Sequence, residues 1–270
     1  LKDTTVTVIV PTYKRLDLLQ EMYQGFQRSV GTTPPIQMVV VDNGNDGTTE
    51  WCLEKGLDVI TPSENLGFGW AINRVWRERN GSLGEWVLLL NNDTVPLLGF
   101  LYNMLKVGQK GYGIVGAKLL YPNDTIQHCG VGFTLDFWPI HLACRQPRDF
   151  PFANQDRRCA CVTFACALIR RDVIRAVGGF DEQFWCSYED VDYCLRAKEA
   201  GIPIAYASQA ELYHKEAQTV GRMKRDKEML GAYSRKWIET GRIYSVLDVW
   251  PIRVQFVEDS PPPSRTGRRG

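Results

Sequence analysis

The chain has 270 residues, 44% hydrophobic and 23% charged, with a formal net charge of +1. That is the composition of an ordinary globular protein of one large domain, or one domain with an appendage, long enough to bury a core without staples. The near-neutral balance gives no global field for nucleic acid, and no apolar run reaches the roughly 18 residues of a membrane span.

Eight cysteines, Cys52, Cys129, Cys144, Cys159, Cys161, Cys166, Cys186 and Cys194, are scattered through apolar segments. Cys159 and Cys161 form only a CxC pair, a weak zinc signal, so the pattern reads as reduced, buried thiols in a reducing compartment. The N-terminus lacks the basic start and apolar stretch of a signal peptide. The expected location is cytoplasmic, with a peripheral membrane position left open. Because the sequence begins almost directly with a strand, it also fits one module of a larger multidomain protein.

In chain order, Val6–Val10 is a β-branched run closed by Pro11, the pattern of a buried parallel strand. Leu16–Arg28 carries Leu19, Met22, Tyr23 and Phe26 at helical spacing. Ile36–Val41 is a second strand ending at the turn signal Asp42-Asn43-Gly44. Thr48–Lys55 reads as a helix and Leu57–Ile60 as a third strand. Asn65 is placed to cap a helix over 67–79 with Phe68, Ala71, Ile72, Val75 and Trp76 on its apolar face. Trp86–Leu90 is the fourth strand, followed by Asn91-Asn92-Asp93-Thr94 and a helix over Leu97–Leu105. This alternation predicts an α/β fold, a mostly parallel sheet flanked by helices.

The second half is less regular. Ile114–Leu120 and Val162–Ile169 read as strands around a turn-rich stretch, 121–160. Ser187–Ala200 reads as a helix with Ser187 as N-cap and Asp190 closing a capping box. Ile204–Ala207 and Glu211–Tyr213 read as two short strands, and 222–238 as a basic helical segment. No internal repeat is evident.

An open parallel sheet binds ligands beyond the carboxyl ends of its strands. Those ends carry Pro11-Thr12-Tyr13-Lys14-Arg15, Asp42-Asn43-Gly44 and Asn91-Asn92-Asp93. Neither GxGxxG nor GxxxxGK[ST] is present, which counts against dinucleotide-dependent dehydrogenases and P-loop proteins.

The ordered set VTVIVPTYKR, VVVDNG, ENLGFGWAINR, WVLLLNNDT, TIQHCG, GGFDEQFW, YEDVDYCLRAKEAG and LYH, from about residue 6 to 214, resembles the family 2 glycosyltransferases of GT-A fold. It looks most like their rhamnosyltransferase-like branch. The resemblance implies a Rossmann-like domain over about 1–218, with a nucleotide half near 1–95 and an irregular acceptor-side half near 96–218. A basic helical C-terminal segment, 219–250, and a disordered tail, 251–270, would follow. It implies an inverting, metal-dependent transfer of a sugar, with rhamnose suggested by the branch, from a UDP- or dTDP-sugar to a hydroxyl of a carbohydrate or glycan acceptor.

Carried over residue by residue, Asp93 is the motif carboxylate that holds a divalent metal, Mn²⁺ or Mg²⁺. A cation shared with the diphosphate neutralises its charge as it leaves. His214 matches a family position that can join it, and imidazole suits Mn²⁺ somewhat better. Asn91 stands where the family often has an acid; it can bind a ribose hydroxyl or a metal-bound water but brings no charge. Asp42 can accept a base N3–H, or can simply form an Asx turn. Pro11, Tyr13, Arg15, Asn65, Gly67 and Asn92 complete the expected nucleotide-sugar site. Arg74 either reaches the diphosphate or is solvated.

Asp190 is the expected general base that takes the acceptor's proton. Its capping role is compatible, since a helix N-terminus favours the ionised form. Glu189 contacts the acceptor or orients the base. Trp185 and Tyr188 stack on acceptor sugars or pack the loop. His128 reads as a packing or hydrogen-bonding residue, and His141 carries no signal. Arg222, Lys224, Arg225 and Lys227 form either a lid over the diphosphate or a solvated helix face. Two other readings stay open. One is a non-catalytic glycan- or nucleotide-binding module of this fold. The other is a sugar nucleotidyltransferase, which the missing glycines after the first strand disfavour.

Overall fold

The computed structural model describes residues 4–31, 35–65, 67–79, 81–216 and 225–247. The expected tail, 251–270, and the expected lid residues Arg222 and Lys224 lie outside the described residues.

The first half alternates as the sequence pattern requires: β1 (Val6–Thr12), α1 (Leu16–Ser29), β2 (Ile36–Asp42), α2 (Thr48–Glu54), β3 (Asp58–Ile60), α3 (Phe68–Arg79) and β4 (Trp86–Leu90). Next come β5 (Thr94–Pro96), α4 (Phe100–Gly108), β6 (Ile114–Leu120) and β7 (Ile126–His128). The turn-rich stretch holds β8 (Val131–Phe133), β9 (Pro139–His141) and β10 (Arg157–Cys159). The chain then runs through β11 (Cys166–Arg170), α5 (Arg171–Val177), α6 (Glu189–Glu199), β12 (Ile204–His214) and α7 (Asp226–Tyr233).

One sheet runs β10-β12-β6-β11-β4-β1-β2-β3, with β5 beside β12 and β7 beside β6; β8 and β9 pair separately. β3, β2, β1 and β4 are mutually parallel. β11 lies antiparallel between β4 and β6. Period-two alternation sends successive strand residues to opposite faces. Ile9, Val39, Val87 and Leu89 join α3, α6 and α7 in one core. Val8, Val40 and Leu88 join α1 and α4 in the other. Burial on both faces is why these strands read as continuous apolar runs rather than alternating ones.

The chain steps outward from β1 to β2 and β3, then returns to lay β4 on the other side of β1. That reversal makes the carboxyl ends of β1 and β4 a topological switch point, where a crevice opens. β11 enters the sheet from the same edge, because it is antiparallel to β4. Its lead-in residues therefore form the opposite wall.

Four local expectations are corrected. β12 is one strand with an irregular register between Ala207 and Glu211, not two strands. The helix after β4 starts at Phe100, behind Gly99 at φ 79°, because Thr94–Pro96 pairs with β12. The regular part of β11 starts at Cys166 rather than Val162. Ser187 does not cap α6: the N-cap is Tyr188 in the left-handed region, with no side-chain cap. The Ser187 hydroxyl turns instead to Cys186 O and Asp226.

The helical C-terminal segment packs into the core rather than standing off it, with Tyr233 and Trp237 fully buried. Asp192 of α6, fully buried, fastens it. Its carboxylate accepts from Trp237 Nε1 at 2.9 Å and Arg196 at 2.9 Å, and pairs with Lys236 at 2.6 Å. Removing one member of a buried ionic set leaves the others uncompensated, at a cost of about 3–5 kcal/mol. Asp192→Ala is therefore expected to lower unfolding free energy in urea by about that much. It should also speed hydrogen exchange in 226–247 more than in β1 and β4; equal acceleration everywhere would argue against this fastening role.

Candidate functional site

The two loops at the switch point are held together by backbone. Asn43 N–H donates to Thr12 O at 2.9 Å. Gly44 lies so close to Lys14 that a Cβ there would meet Lys14 N at 2.3 Å, so the position requires glycine. Asn92 Nδ2 donates to Thr12 Oγ1 at 2.8 Å and ties the end of β4 to the end of β1.

Beyond β4, the pairing of β5 with β12 sets Thr94 opposite His214. That register places the neighbouring Asp93 against the histidine: His214 Nε2 lies 3.1 Å from Asp93 Oδ1. Both residues are buried. On its other side, His214 Nδ1 lies 2.6 Å from Gln127 Oε1. Gln127 Nε2 in turn donates to Glu216 at 3.2 Å. A carboxylate only accepts, so the Gln127 amide group faces Glu216 and its carbonyl faces His214. Nδ1 therefore carries the imidazole hydrogen, and Nε2 makes no hydrogen bond. The bare nitrogen facing a carboxylate oxygen is a donor set a divalent cation fits. Among the described residues no group of three His, Cys, Asp or Glu is gathered for a metal.

A cavity of about 330 Å³ opens beside this pair, lined by His214, Asn91, Gln127, Thr163, Tyr188, Glu189 and Asp190 among others. α6 begins at its rim. Asp190 Oδ2 accepts from Phe164 N–H at 3.3 Å, and Oδ1 from Val191 N–H at 2.8 Å. Tyr188, at φ 67°, stacks on Tyr233 with ring centroids 5.2 Å apart. A non-glycine residue in the left-handed region is strained and persists only where its surroundings fix it. Here the Tyr233 ring does so, and the strain delivers Glu189 and Asp190 to the cavity.

Several expected site residues are used differently. Asp42 is buried, and its carboxylate accepts from Gly44 N, Asn45 N, Thr49 N and Thr49 Oγ1. With those acceptor directions taken it builds the loop. Trp185 is stitched to α3: its carbonyl accepts from Phe68 N–H at 2.9 Å, and Arg225 lies over its ring at 5.2 Å. It packs the loop rather than lining the cavity. Gly67, at φ 92°, is required there, because a Cβ would meet Trp185 O at 2.3 Å. Asn65 makes an Asx turn to Gly67 N–H at 3.0 Å instead of capping α3. Arg74 is engaged on α3 by Glu78 and the Trp70 ring. Arg15 pairs with Asp17 at 2.8 Å, and the Asp93 charge acts on it. Pro11, near the end of β1, and Tyr13, on the loop between β1 and α1, are half-buried.

The sequence reading missed Gln127, Glu216, Thr163, His141 and Asn43. Asn43 Oδ1 is buried with no hydrogen-bond partner among the described residues. His141 lies on the cavity, its Nδ1 2.8 Å from His128 Nδ1. His128 Nε2 accepts from Gly130 N–H at 3.2 Å and Thr163 N–H at 3.4 Å. Nδ1 of His128 is therefore the donor to His141. Burial, with His141 and Arg157 nearby, holds the His128 pKa well below the ordinary histidine value. The TIQHCG stretch was the available signal, but nothing in it distinguished Gln127.

Residues 3–230 match the family described as glycosyltransferase like family 2. The O-antigen biosynthesis protein RfbC of Myxococcus xanthus is 30% identical over 222 residues, covering 78% of this chain and 17% of that protein. The N-acetylglucosaminyl-diphospho-decaprenol L-rhamnosyltransferase of Mycobacterium tuberculosis is 29% identical over 224 residues, covering 72% of this chain and 71% of that enzyme. This chain thus spans a quarter or less of the longer relatives it matches. Among solved structures, GalNAc-T7 with UDP, GalNAc and Mn²⁺ superposes with a TM-score of 0.61 at 11% identity, over 78% of this chain and 44% of that one. That likeness is one of fold, and the fold is GT-A.

A depressed histidine pKa gives a signed pH dependence. The unfolded chain protonates His128 near about 6.5, the folded chain only well below it. Its contribution is complete above the unfolded value and is lost on acidification, at up to about 1.4 kcal/mol per pH unit. The unfolding free-energy gap between wild type and His128→Asn should therefore be flat above that pH and narrow below it. A gap constant through the acid range in urea titrations would refute the assignment.

Proposed function

The chain belongs to glycosyltransferase family 2, and from its cleft we propose that it transfers a sugar from a nucleoside diphosphate to an acceptor hydroxyl with inversion. The observation that carries this reading is one cavity lined both by His214, whose Nε2 lies 3.1 Å from Asp93, and by Asp190. Asp93 and His214 would hold a divalent cation, Mn²⁺ or Mg²⁺, which when bound offsets the charge gathering on the departing diphosphate.

Asp190 acts as general base. The acceptor oxygen attacks the anomeric carbon from the face opposite the diphosphate. Its proton passes to the Asp190 carboxylate, the new carbon–oxygen bond forms, and the sugar–phosphate bond breaks with its electron pair leaving on the diphosphate. A single in-line displacement inverts the centre and needs no enzyme nucleophile. The hydrogen bonds from Phe164 and Val191 orient the carboxylate. Glu189 and Tyr188, beside it on the cavity wall, contact the acceptor.

The donor is proposed to be UDP- or dTDP-linked. Asn43 offers an amide oxygen that a uracil or thymine imide can satisfy, taking over the contact first expected of Asp42. Rhamnose as the sugar and a glycan or lipid-linked sugar as the acceptor rest on the likeness to the mycobacterial L-rhamnosyltransferase. An intracellular setting and membership of a longer, multidomain transferase are part of the same proposal. Among the described residues, no helix is long and apolar enough to cross a membrane.

Calorimetric titration with UDP, dTDP and GDP, with and without Mn²⁺, is expected to give metal-enhanced binding of a pyrimidine nucleotide. Binding of none of them would favour a non-catalytic module. Asp190→Asn should keep that affinity while transfer falls by about 10²–10⁴. Asp93→Ala should abolish the metal enhancement itself. Near-normal turnover by Asp190→Asn would sink the base assignment.

A further inference from the structure

We propose that Gln127 and Glu216 form a relay that locks His214 in the tautomer presenting a bare Nε2 toward Asp93, making a ready-made metal ligand. The inference rests on the metal reading above and extends it to two residues that act through His214. They are positioning residues.

Three features carry it. The first is direction. Glu216 accepts from Gln127 Nε2 at 3.2 Å, and Gln127 Oε1 faces His214 Nδ1 at 2.6 Å. In a neutral imidazole only one nitrogen bears hydrogen, and which one is set by the partner of the other. A carboxylate at the far end admits one polarity for the whole chain of contacts, and it ends with a lone pair on Nε2.

The second is the backbone that aims these side chains. In the pairing of β6 with β7, Leu119 stands opposite His128 and Leu120 opposite Ile126. Gln127 is thus the extra residue of a β-bulge, a device that re-aims a side chain locally. Glu216 sits at φ 47° two residues after His214, turned back in a conformation uncommon for a non-glycine residue. Two local irregularities converge on one imidazole.

The third is burial. Gln127 is 3% exposed and His214 5% exposed. A buried amide is costly unless its hydrogen bonds are made, so the orientation is held firmly. Partners of this kind, bonded to the far nitrogen of a ligating histidine, fix its ring and raise its basicity, and their loss typically costs about 10–100-fold in metal affinity.

The test uses the whole chain and two readouts. The sequence has only three histidines, so imidazole ¹⁵N–¹H spectra of the metal-free protein resolve each ring. At a pH where the rings are neutral, His214 should show hydrogen on Nδ1. In Gln127→Leu it should shift to the Nε2–H form or a mixture, and Mn²⁺ affinity in the presence of UDP, read by electron paramagnetic resonance, should fall about 10–100-fold. The double variant Gln127→Glu, Glu216→Gln keeps an acceptor toward His214 and a donor toward that acceptor. It should restore both the Nδ1–H signal and most of the affinity. A wild-type ring with hydrogen on Nε2, or an unchanged ring in Gln127→Leu, would overturn the relay. Failure of the wild-type protein to bind Mn²⁺, with the Nδ1–H signal intact, would instead overturn the metal reading on which it rests.

Discussion

A lone pair on nitrogen and a carboxylate oxygen, buried 3.1 Å apart, tolerate each other only when something positive lies between them. A proton can do it, and so can a cation. The structure is organised around that contact. It is made by an antiparallel register, Thr94 against His214, joining a three-residue strand just past β4 to the far end of β12. Lys215 N–H donates to Asp93 O at 3.0 Å and closes the same register from the other side. The two partners are 121 positions apart in sequence (214 − 93), so only the sheet brings them together. The imidazole therefore stands on a regular strand, and the carboxylate sits in the turn that leads directly into β5, tied to it by that register.

The opposite wall is built by a different rule. An all-parallel sheet would bring only strand ends to the crevice. Inserting β11 antiparallel between β4 and β6 brings a strand beginning there, with Thr163, Phe164 and Ala165 just before it. Asn91 N–H donates to Ala165 O at 2.9 Å, so the nucleotide-side loop and this wall share a hydrogen bond. Phe164 N–H then reaches Asp190. The Asp190 carboxylate is held by the wall it faces, and Asp192 of α6 is held by Lys236 and Trp237. Buried polar attachment at Asp192, in the first turn of α6, and backbone strain at Tyr188 just before that turn are two parts of one placement.

The order of strands and helices through Leu90 was legible because parallel strands buried on both faces leave plain apolar runs, and helices leave a period near 3.6. Asp93, Asp190 and His214 stood out because each follows or opens an element; the fold pairs Asp93 with His214 and sets His214 and Asp190 on one cavity. Residues whose role depends on contacts across the sheet were not. Asp42 carries the right chemistry for a base contact, yet three backbone N–H groups and one hydroxyl claim it, and only coordinates show that competition. Ser187 looked like a cap because Ser-Tyr-Glu-Asp has capping-box spacing, but stacking on Tyr233 put Tyr188 in the left-handed region and moved the helix start past it. Tertiary packing overrode a local preference worth about 1 kcal/mol.

Gln127 shows the limit most sharply. Within Thr125-Ile126-Gln127-His128, the histidine draws the eye as the chemically versatile residue. Yet His128 is sealed in the interior, bonded to two backbone amides and a second imidazole. The neighbouring glutamine, displaced by a bulge, is the one turned to the site. A one-residue slip in pairing flips side chains between faces, and a bulge makes such a slip locally. The sequence alone cannot say where the ladder skips a residue, because the skip is set by how β6 and β7 pair. The two imidazole arrangements then follow one logic. In each, a group of fixed polarity (the backbone amides at His128, the Glu216 carboxylate behind Gln127) dictates which ring nitrogen keeps its hydrogen. The protein thereby fixes proton positions on His214 and His128 by hydrogen-bond direction.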